Sequence, residues 1–263
     1  MLYYVNQESV NNVNLKNLND AILELQNLSF AVISIAGMGT NPDGSPRLII
    51  HKASGRLVPL RQDWAFWLYS GIAEELSAIS LLLNSYCNAS TMTFRPILTL
   101  MRPIIEKYAD IMNFLTYSWD YERYLFYLSE LSNVSGSQKK KIQEDNEPSL
   151  KTLFKTDIIN RKTRYYLLGT VNKRYDDSTY WIADFNKNLA FYDGKLSSVL
   201  HNNLQKYPKS TLETITEVIN NITIIVHEAT LAIKEYEGLE DTQFFSDVLS
   251  ICVNIKNRIN QIK

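Results

Sequence analysis

The chain has 263 residues, a length that suits one large domain or one domain with elaborations. Hydrophobic residues make up 45% and charged residues 21%, which excludes disorder over most of the chain. A formal net charge of −1 argues against a protein that wraps nucleic acid by bulk electrostatics, and two cysteines are too few for a disulfide framework. Neither a secretory signal nor an apolar run of about eighteen residues is found, so we expect a cytoplasmic protein outside the membrane.

Residues 1–60 are predicted to form a first section, a helix followed by a β-hairpin. Apolar residues at three- and four-residue steps predict the helix at 14–28. The β-branched run at 30–35 and the apolar run at 47–51 predict the two strands. Between them, Asn-Pro-Asp-Gly-Ser-Pro at 41–46 is typical of a turn.

Residues 61–263 are predicted to form a helical domain, so the fold class is mainly α. Apolar periodicity predicts helices at 62–84, 93–117, 120–131, 210–234 and 242–262. The stripe of the first of these contains Trp64, Trp67, Leu68, Ile72, Leu76, Ile79 and Leu83. Blocks of opposite charge at 133–150 predict an exposed, mobile loop, and its Lys139-Lys-Lys run is interpreted as solvated rather than as an RNA patch.

A polar stripe runs along the otherwise apolar helix predicted at 93–117. Arg95 and Arg102 are seven residues apart and Glu106 follows Arg102 by four, so all three lie on one face. One interpretation is a surface ion pair that contributes under ~1 kcal/mol. The other is a partly buried site in which Arg102 binds phosphate and Glu106 orients it.

A second polar stretch, from Tyr192 to Asn203, contains His201. A helix is predicted at 185–201, so Ser197, which precedes this histidine by four residues, shares its helical face. His201 is interpreted either as part of a helix C-terminal cap or as the group that moves protons when a phosphodiester is cleaved. No metal-ligand or cofactor-binding pattern is found, so we expect neither a metal nor a cofactor.

These two motifs, Arg102-x-x-x-Glu106 and the distant Tyr192-x-x-x-Leu-Ser-x-x-x-His201, resemble those of helical proteins related to the HEPN superfamily. The resemblance covers residues 62–132 and 190–235 and implies a HEPN-like helical bundle. Many HEPN proteins are metal-independent ribonucleases, often dimers, in toxin–antitoxin or phage-defence systems. Their usual arginine four to six residues before the histidine is absent: the position six before is Lys195, which keeps the charge without the planar fork.

The resemblance implies cleavage of RNA or action on a nucleotide, with the 2′-OH of RNA as nucleophile. The catalytic residues are then His201 as general acid or base, Arg102 beside the phosphorane, and Glu106 and Ser197 as orienting groups. Substrate would be bound by Arg95, Lys195 and Asn202.

The alternative is a non-catalytic interaction or scaffold protein, such as a partner subunit or immunity protein. The near-neutral charge and the missing arginine before His201 favour it. A homodimer or another protein is the expected partner. A pore-forming helical toxin is disfavoured because no long apolar hairpin is found.

Overall fold

The computed structural model describes residues 8–9, 12–37, 48–50, 57–59, 64–89, 91–117, 119–171, 211–236 and 243–262, with positions 185–186, 188–189, 192 and 196. This part of the chain is mainly α-helical, which confirms the predicted class. Its helices are α1 (Asn12–Gly37), α2 (Trp64–Cys87), α3 (Arg95–Tyr117), α4 (Trp119–Asn133), α5 (Gly136–Phe154), α6 (Thr163–Val171), α7 (Thr211–Tyr236) and α8 (Gln243–Ile259). None of them is both long and apolar enough to cross a membrane.

Helical periodicity places the apolar residues of these helices in one core. The predicted core positions of α1, α3 and α7 are buried: Leu15, Leu18, Ala21, Ile22, Leu25, Met101, Ile104, Ile105, Tyr108, Met112, Ile215, Val218, Ile219, Ile222 and Ile225. The stripe predicted for α2 is correct from Ile72 to Leu83. Trp67 is an exception, since it is 64% exposed.

Helix α3 lies in the middle of the bundle, in contact with α2, α4, α6 and α7. Helices α1 and α2 pack antiparallel, since Asn19 hydrogen-bonds to Asn84 while Gln26 hydrogen-bonds to Ser77. The Tyr69 and Thr230 hydroxyls, 2.7 Å apart, join α2 to α7. The face of α3 that meets α6 carries the polar stripe.

The strand predicted at 30–35 is wrong, because α1 continues to Gly37 and buries Val32 in the core. Tertiary packing outweighs the β-branched composition of this run. The second predicted strand overlaps β2 (Leu48–Ile50), but β2 pairs antiparallel with β3 (Leu57–Pro59). The predicted turn at 41–46 lies outside the described residues.

Two further strands, β1 (Glu8–Ser9) and β4 (Thr91–Met92), also pair antiparallel. They join the chain before α1 to the connection between α2 and α3. The domain boundary near residue 60 stays a prediction.

The loop predicted at 133–150 is wrong, because most of it belongs to helix α5. Its opposite charges form pairs at helical spacing: Lys140 to Glu144 at 3.7 Å and Lys151 to Glu147 at 3.2 Å. Such pairs favour a helix. At its C-terminal end, the buried Leu150 and Phe154 attach α5 to the core.

Candidate functional site

The polar stripe of α3 passes from solvent into the protein. Arg102 and Glu106 have side chains that are each 37% exposed. One turn further, Asp110 is buried, and Asn113 is fully buried. The stripe predicted from the sequence therefore has an accessible end and an interior end.

Ion pairs connect this stripe to Arg164 at the start of α6. Arg102 Nε lies 3.4 Å from Glu106 Oε1, and Arg164 Nη1 lies 3.3 Å from Glu106 Oε2. The same Nη1 lies 3.4 Å from Asp110 Oδ2. Two guanidinium groups from different helices thus share Glu106, and Arg164 bridges two carboxylates.

The local fold holds Arg164 in place. Asn113 Nδ2 donates to its backbone carbonyl at 2.9 Å. Just before it, the backbone N–H of Asn160 donates to the hydroxyl of the buried Thr163 at 2.9 Å. The Arg164 side chain is only 11% exposed, so this cation is an interior group that needs compensating charge.

Asp110 supplies part of that charge and is itself buried. Its carboxylate accepts a hydrogen bond from the Tyr121 hydroxyl of α4. Burial raises the pKa of Asp110 to about 6, although Arg164 and Tyr121 act in the opposite direction. Burial also raises the pKa of Tyr121, and the negative charge of Asp110 adds to that effect.

Arg164 has a raised pKa, because Asp110, Tyr121 and Glu106 outweigh the opposing effect of burial. It therefore stays charged at any physiological pH. The described network consists of two guanidinium groups and two carboxyl groups, and its Arg102–Glu106 end is partly exposed to solvent. Chemically, such guanidinium pairs bind carboxylate or phosphate oxygens.

Arg95 opens α3 two turns before Arg102, which corresponds to about 10 Å along the axis. Its carbonyl accepts a hydrogen bond from the Thr99 hydroxyl at 3.0 Å. Arg95 thus begins the helix that carries the Arg102–Glu106 pair, and its role in binding substrate stays a prediction.

The other predicted site residues, Lys195, Ser197, His201 and Asn202, lie outside the described residues. Nearby positions of their segment are described. Tyr108 of α3 donates to Asn186 Oδ1 at 3.0 Å, and its ring meets Phe185 edge-on at 6.4 Å. The segment that leads to His201 therefore begins against α3, and the proximity of His201 to Arg102 stays a prediction.

Sequence reasoning missed Asp110, Arg164 and Tyr121. Asp110 follows Glu106 by four residues, so extending the stripe by one turn indicates it. Arg164 and Tyr121 carry no such signal, because their roles depend on how α6 and α4 pack against α3.

A second buried polar cluster lies at the contact of α7 and α8. His227 Nδ1 is 2.6 Å from Glu228 Oε1, and both residues are buried. Burial, with the negative charge of Glu228, raises the pKa of Cys252 to about 12, which favours the protonated thiol over the thiolate. Within the described ranges, no group of three potential metal ligands is found here or elsewhere.

Comparisons with protein-family models, with characterised proteins and with solved structures give no match for this chain. Its functional assignment accordingly depends on the chemistry of the α3–α6 network.

Proposed function

We propose that the protein is a HEPN-like, metal-independent ribonuclease that acts in the cytoplasm as part of a toxin–antitoxin or phage-defence system. The supporting observation is that Arg102 and Arg164 converge on Glu106 at 3.4 and 3.3 Å at the partly exposed end of the network. Paired guanidinium groups are suited to a phosphate, whose charge rises as a phosphorane forms. The composition of the site thus fits phosphodiester cleavage.

In the proposed reaction the 2′-OH of RNA attacks the adjacent phosphorus. His201 removes the hydroxyl proton as general base or donates a proton to the leaving 5′-oxygen. The P–O5′ bond breaks, which leaves a 2′,3′-cyclic phosphate and a free 5′-OH. Arg102 stabilises the phosphorane together with Lys195 or Arg95.

The remaining predicted residues bind and orient in this proposal. Glu106 holds the Arg102 guanidinium, to which it is paired in the structure. Ser197 orients the imidazole of His201, and Asn202 binds substrate. RNA is the substrate class, and a second copy of the chain is the proposed partner.

The test is incubation of the purified protein with mixed RNA, with and without EDTA. We expect cleavage that EDTA leaves unchanged, and 2′,3′-cyclic phosphate ends. His201→Ala and Arg102→Ala should each lower the rate at least ~100-fold. Matched controls are His51→Ala and Arg123→Ala, the latter an exposed arginine of α4 that reaches Ser149.

Folding of each variant is checked by circular dichroism and thermal unfolding. Equal cleavage by wild type and both site variants would contradict the proposal and indicate a contaminating nuclease. Loss of cleavage on EDTA treatment would contradict the metal-independent mechanism.

A second candidate is a non-catalytic interaction protein. The observation that favours it is the charge balance of the network, in which Arg102 and Arg164 are both matched by Glu106 and Asp110. Such a network also serves to hold α3 and α6 in register. RNA that stays intact with folded wild-type protein at equimolar concentration would favour this candidate over the ribonuclease.

A further inference from the structure

Glu106 occupies a position that another anion can take. Its two carboxylate oxygens are divided between two cations, Oε1 to Arg102 and Oε2 to Arg164. The two cations come from different helices, Arg102 from α3 and Arg164 from α6. A phosphate group presents oxygens at a similar spacing and with more acceptor sites.

Arg164 would keep a counter-ion if Glu106 turned away. Asp110 lies 3.4 Å from the same Nη1 atom and is fixed by the Tyr121 hydroxyl. The Glu106 side chain is 37% exposed, whereas that of Asp110 is 8% exposed. Only Glu106, of these two carboxylates, has an open route to solvent.

The side chain of Arg164 also has spare donor capacity. Its Nε is buried and donates no hydrogen bond to any group in the described part of the chain. A buried donor without an acceptor lowers the stability of the folded protein. An oxyanion with three or four oxygens has more acceptors than a carboxylate with which to satisfy it.

We infer that Arg102 and Arg164 form an oxyanion site that Glu106 fills in the free protein, and that a phosphate group displaces Glu106 on binding. This inference rests on the proposed function, since it assigns Arg164 as the second phosphate-binding arginine of the same site. With Arg164 as the second arginine, the site has two guanidinium groups although Lys195 replaces the usual arginine before His201.

The test compares phosphate binding by wild type and by Glu106→Gln. The amide is close in size to the carboxylate but does not compete as an anion. Calorimetric titrations use inorganic phosphate and, separately, a 2′-O-methylated RNA oligonucleotide, which cannot react through its 2′-OH. We expect Glu106→Gln to bind inorganic phosphate about tenfold more tightly than wild type.

Glu75→Gln is the matched control, because it removes one negative charge from another half-buried ion pair, with Lys107 at 3.0 Å. It should leave phosphate affinity unchanged. Adding Arg164→Lys to Glu106→Gln should cancel most of the gain, since lysine keeps the charge but not the fork. An equal gain in both glutamine variants, or a gain that survives Arg164→Lys, would overturn the inference.

Should Glu106→Gln fail to fold, the wild-type protein supplies the measurement. The ¹⁵N signals of arginine side chains are followed by NMR during titration with inorganic phosphate, and Arg102→Lys and Arg164→Lys assign them. Saturable shifts of both signals would support the site. Signals that do not move at 50-fold excess of phosphate would overturn it.

The two arms separate this inference from the ribonuclease proposal. Tighter phosphate binding by Glu106→Gln without cleavage of natural RNA by wild type contradicts the ribonuclease alone. Cleavage without any gain in phosphate affinity overturns the oxyanion site alone. A Glu106→Gln gain for the oligonucleotide as well as for free phosphate identifies the RNA backbone as a source of the phosphate group, and a gain for free phosphate alone identifies a free phosphate ligand.

Discussion

Two polar seams join helices inside this apolar bundle, and they differ in chemistry. The neutral seam, between α1 and α2, consists of Asn19, Ser80, Asn84, Gln26 and Ser77. Asn19 donates to Asn84 Oδ1 at 3.0 Å and accepts from the Ser80 hydroxyl at 3.1 Å. The side-chain amide of Gln26 donates to the Ser77 hydroxyl at 3.0 Å.

The charged seam, between α3 and α6, consists of Arg102, Glu106, Asp110 and Arg164. The neutral seam pairs amides and hydroxyls with one another, of which those of Asn19 and Ser80 are buried, and it holds no proton that physiological pH can move. The charged seam holds a carboxyl group with a pKa of about 6 and has an end open to solvent. Polar contacts thus join pairs of helices in both places, but of these two seams only the charged one contains arginine and carboxylate side chains.

The two seams should differ most in their contribution to protein stability, and the largest contribution should come from Asp110 at the interior end of the charged seam. Asp110→Ala removes one of the two carboxylates that compensate Arg164 and the acceptor of the Tyr121 hydroxyl. Breaking a buried ion pair in this way should lower the free energy of unfolding at pH 7 by about 3 to 5 kcal/mol. Urea unfolding followed by circular dichroism measures it.

Asp247→Ala, at an exposed position of α8, is the control and should change stability by under ~0.5 kcal/mol. A loss below 1 kcal/mol for Asp110→Ala, on the order of a surface pair, would show that Glu106 alone compensates Arg164. The charged seam would then resemble the neutral one energetically.

The pH dependence of the charged seam is the next largest effect. Because the pKa of Asp110 is about 6 in the folded protein against 3.8 ordinarily, the folded state binds a proton that the unfolded state releases in this interval. The part of the stability that depends on protonation of Asp110 is therefore full below pH 4 and is lost as pH rises through 6. The loss should be about 2 to 3 kcal/mol.

Asp110→Asn does not titrate, so the difference in unfolding free energy between wild type and this variant isolates the effect. Relative to Asp110→Asn, wild type should lose unfolding free energy as the pH rises from 4 to 7. The charged groups that face Asp110 are Arg164 and Glu106, and Arg164 stays charged throughout. A difference that is constant with pH would mean that burial does not raise the pKa of Asp110.

The neutral seam should show a smaller, pH-independent effect. Asn19→Ala removes the donor to Asn84 Oδ1 and the acceptor of the Ser80 hydroxyl. We expect a loss of about 1 to 2 kcal/mol in unfolding free energy, equal at pH 4 and pH 7. Asn27→Ala, at an exposed position of α1, should change it by under ~0.5 kcal/mol.

If the loss for Asn19→Ala varied with pH, a titrating group would have to lie within the neutral seam. The distinction between the two seams would then fail. Chemical denaturation of wild type, Asn19→Ala and Asn27→Ala at pH 4 and at pH 7 tests whether the loss depends on pH.

The sequence predicts most helices because their apolar periodicity coincides with the buried face. It predicts α2 at 62–84, and the helix runs from Trp64 to Cys87. It fails at 30–35 and at 133–150 for opposite reasons. Packing against α2 keeps the β-branched run helical, and pairs such as Lys140–Glu144 make a charge-rich segment helical.

The part of the site that depends on contacts between distant helices likewise could not be predicted from the sequence. Arg102 and Glu106 lie four residues apart on one helix, so their pairing follows from spacing alone. Arg164 meets Glu106 across 58 positions of sequence, and only the packing of α6 on α3 brings them together. Local periodicity contains no information about that contact.

The outer end of the charged seam should contribute least to stability. Arg102→Ala removes a pair whose side chains are both 37% exposed, while Glu106 keeps Arg164 as a partner at 3.3 Å. We expect the free energy of unfolding to fall by less than ~1 kcal/mol, and less at high salt. Arg123→Ala, which removes an exposed arginine of α4, is the control in the same urea titration.

Because a small loss leaves the protein folded, any effect of Arg102→Ala on RNA cleavage or phosphate binding reports on the chemistry of the site. A loss as large as that of Asp110→Ala would instead make Arg102 a structural residue and favour the non-catalytic candidate.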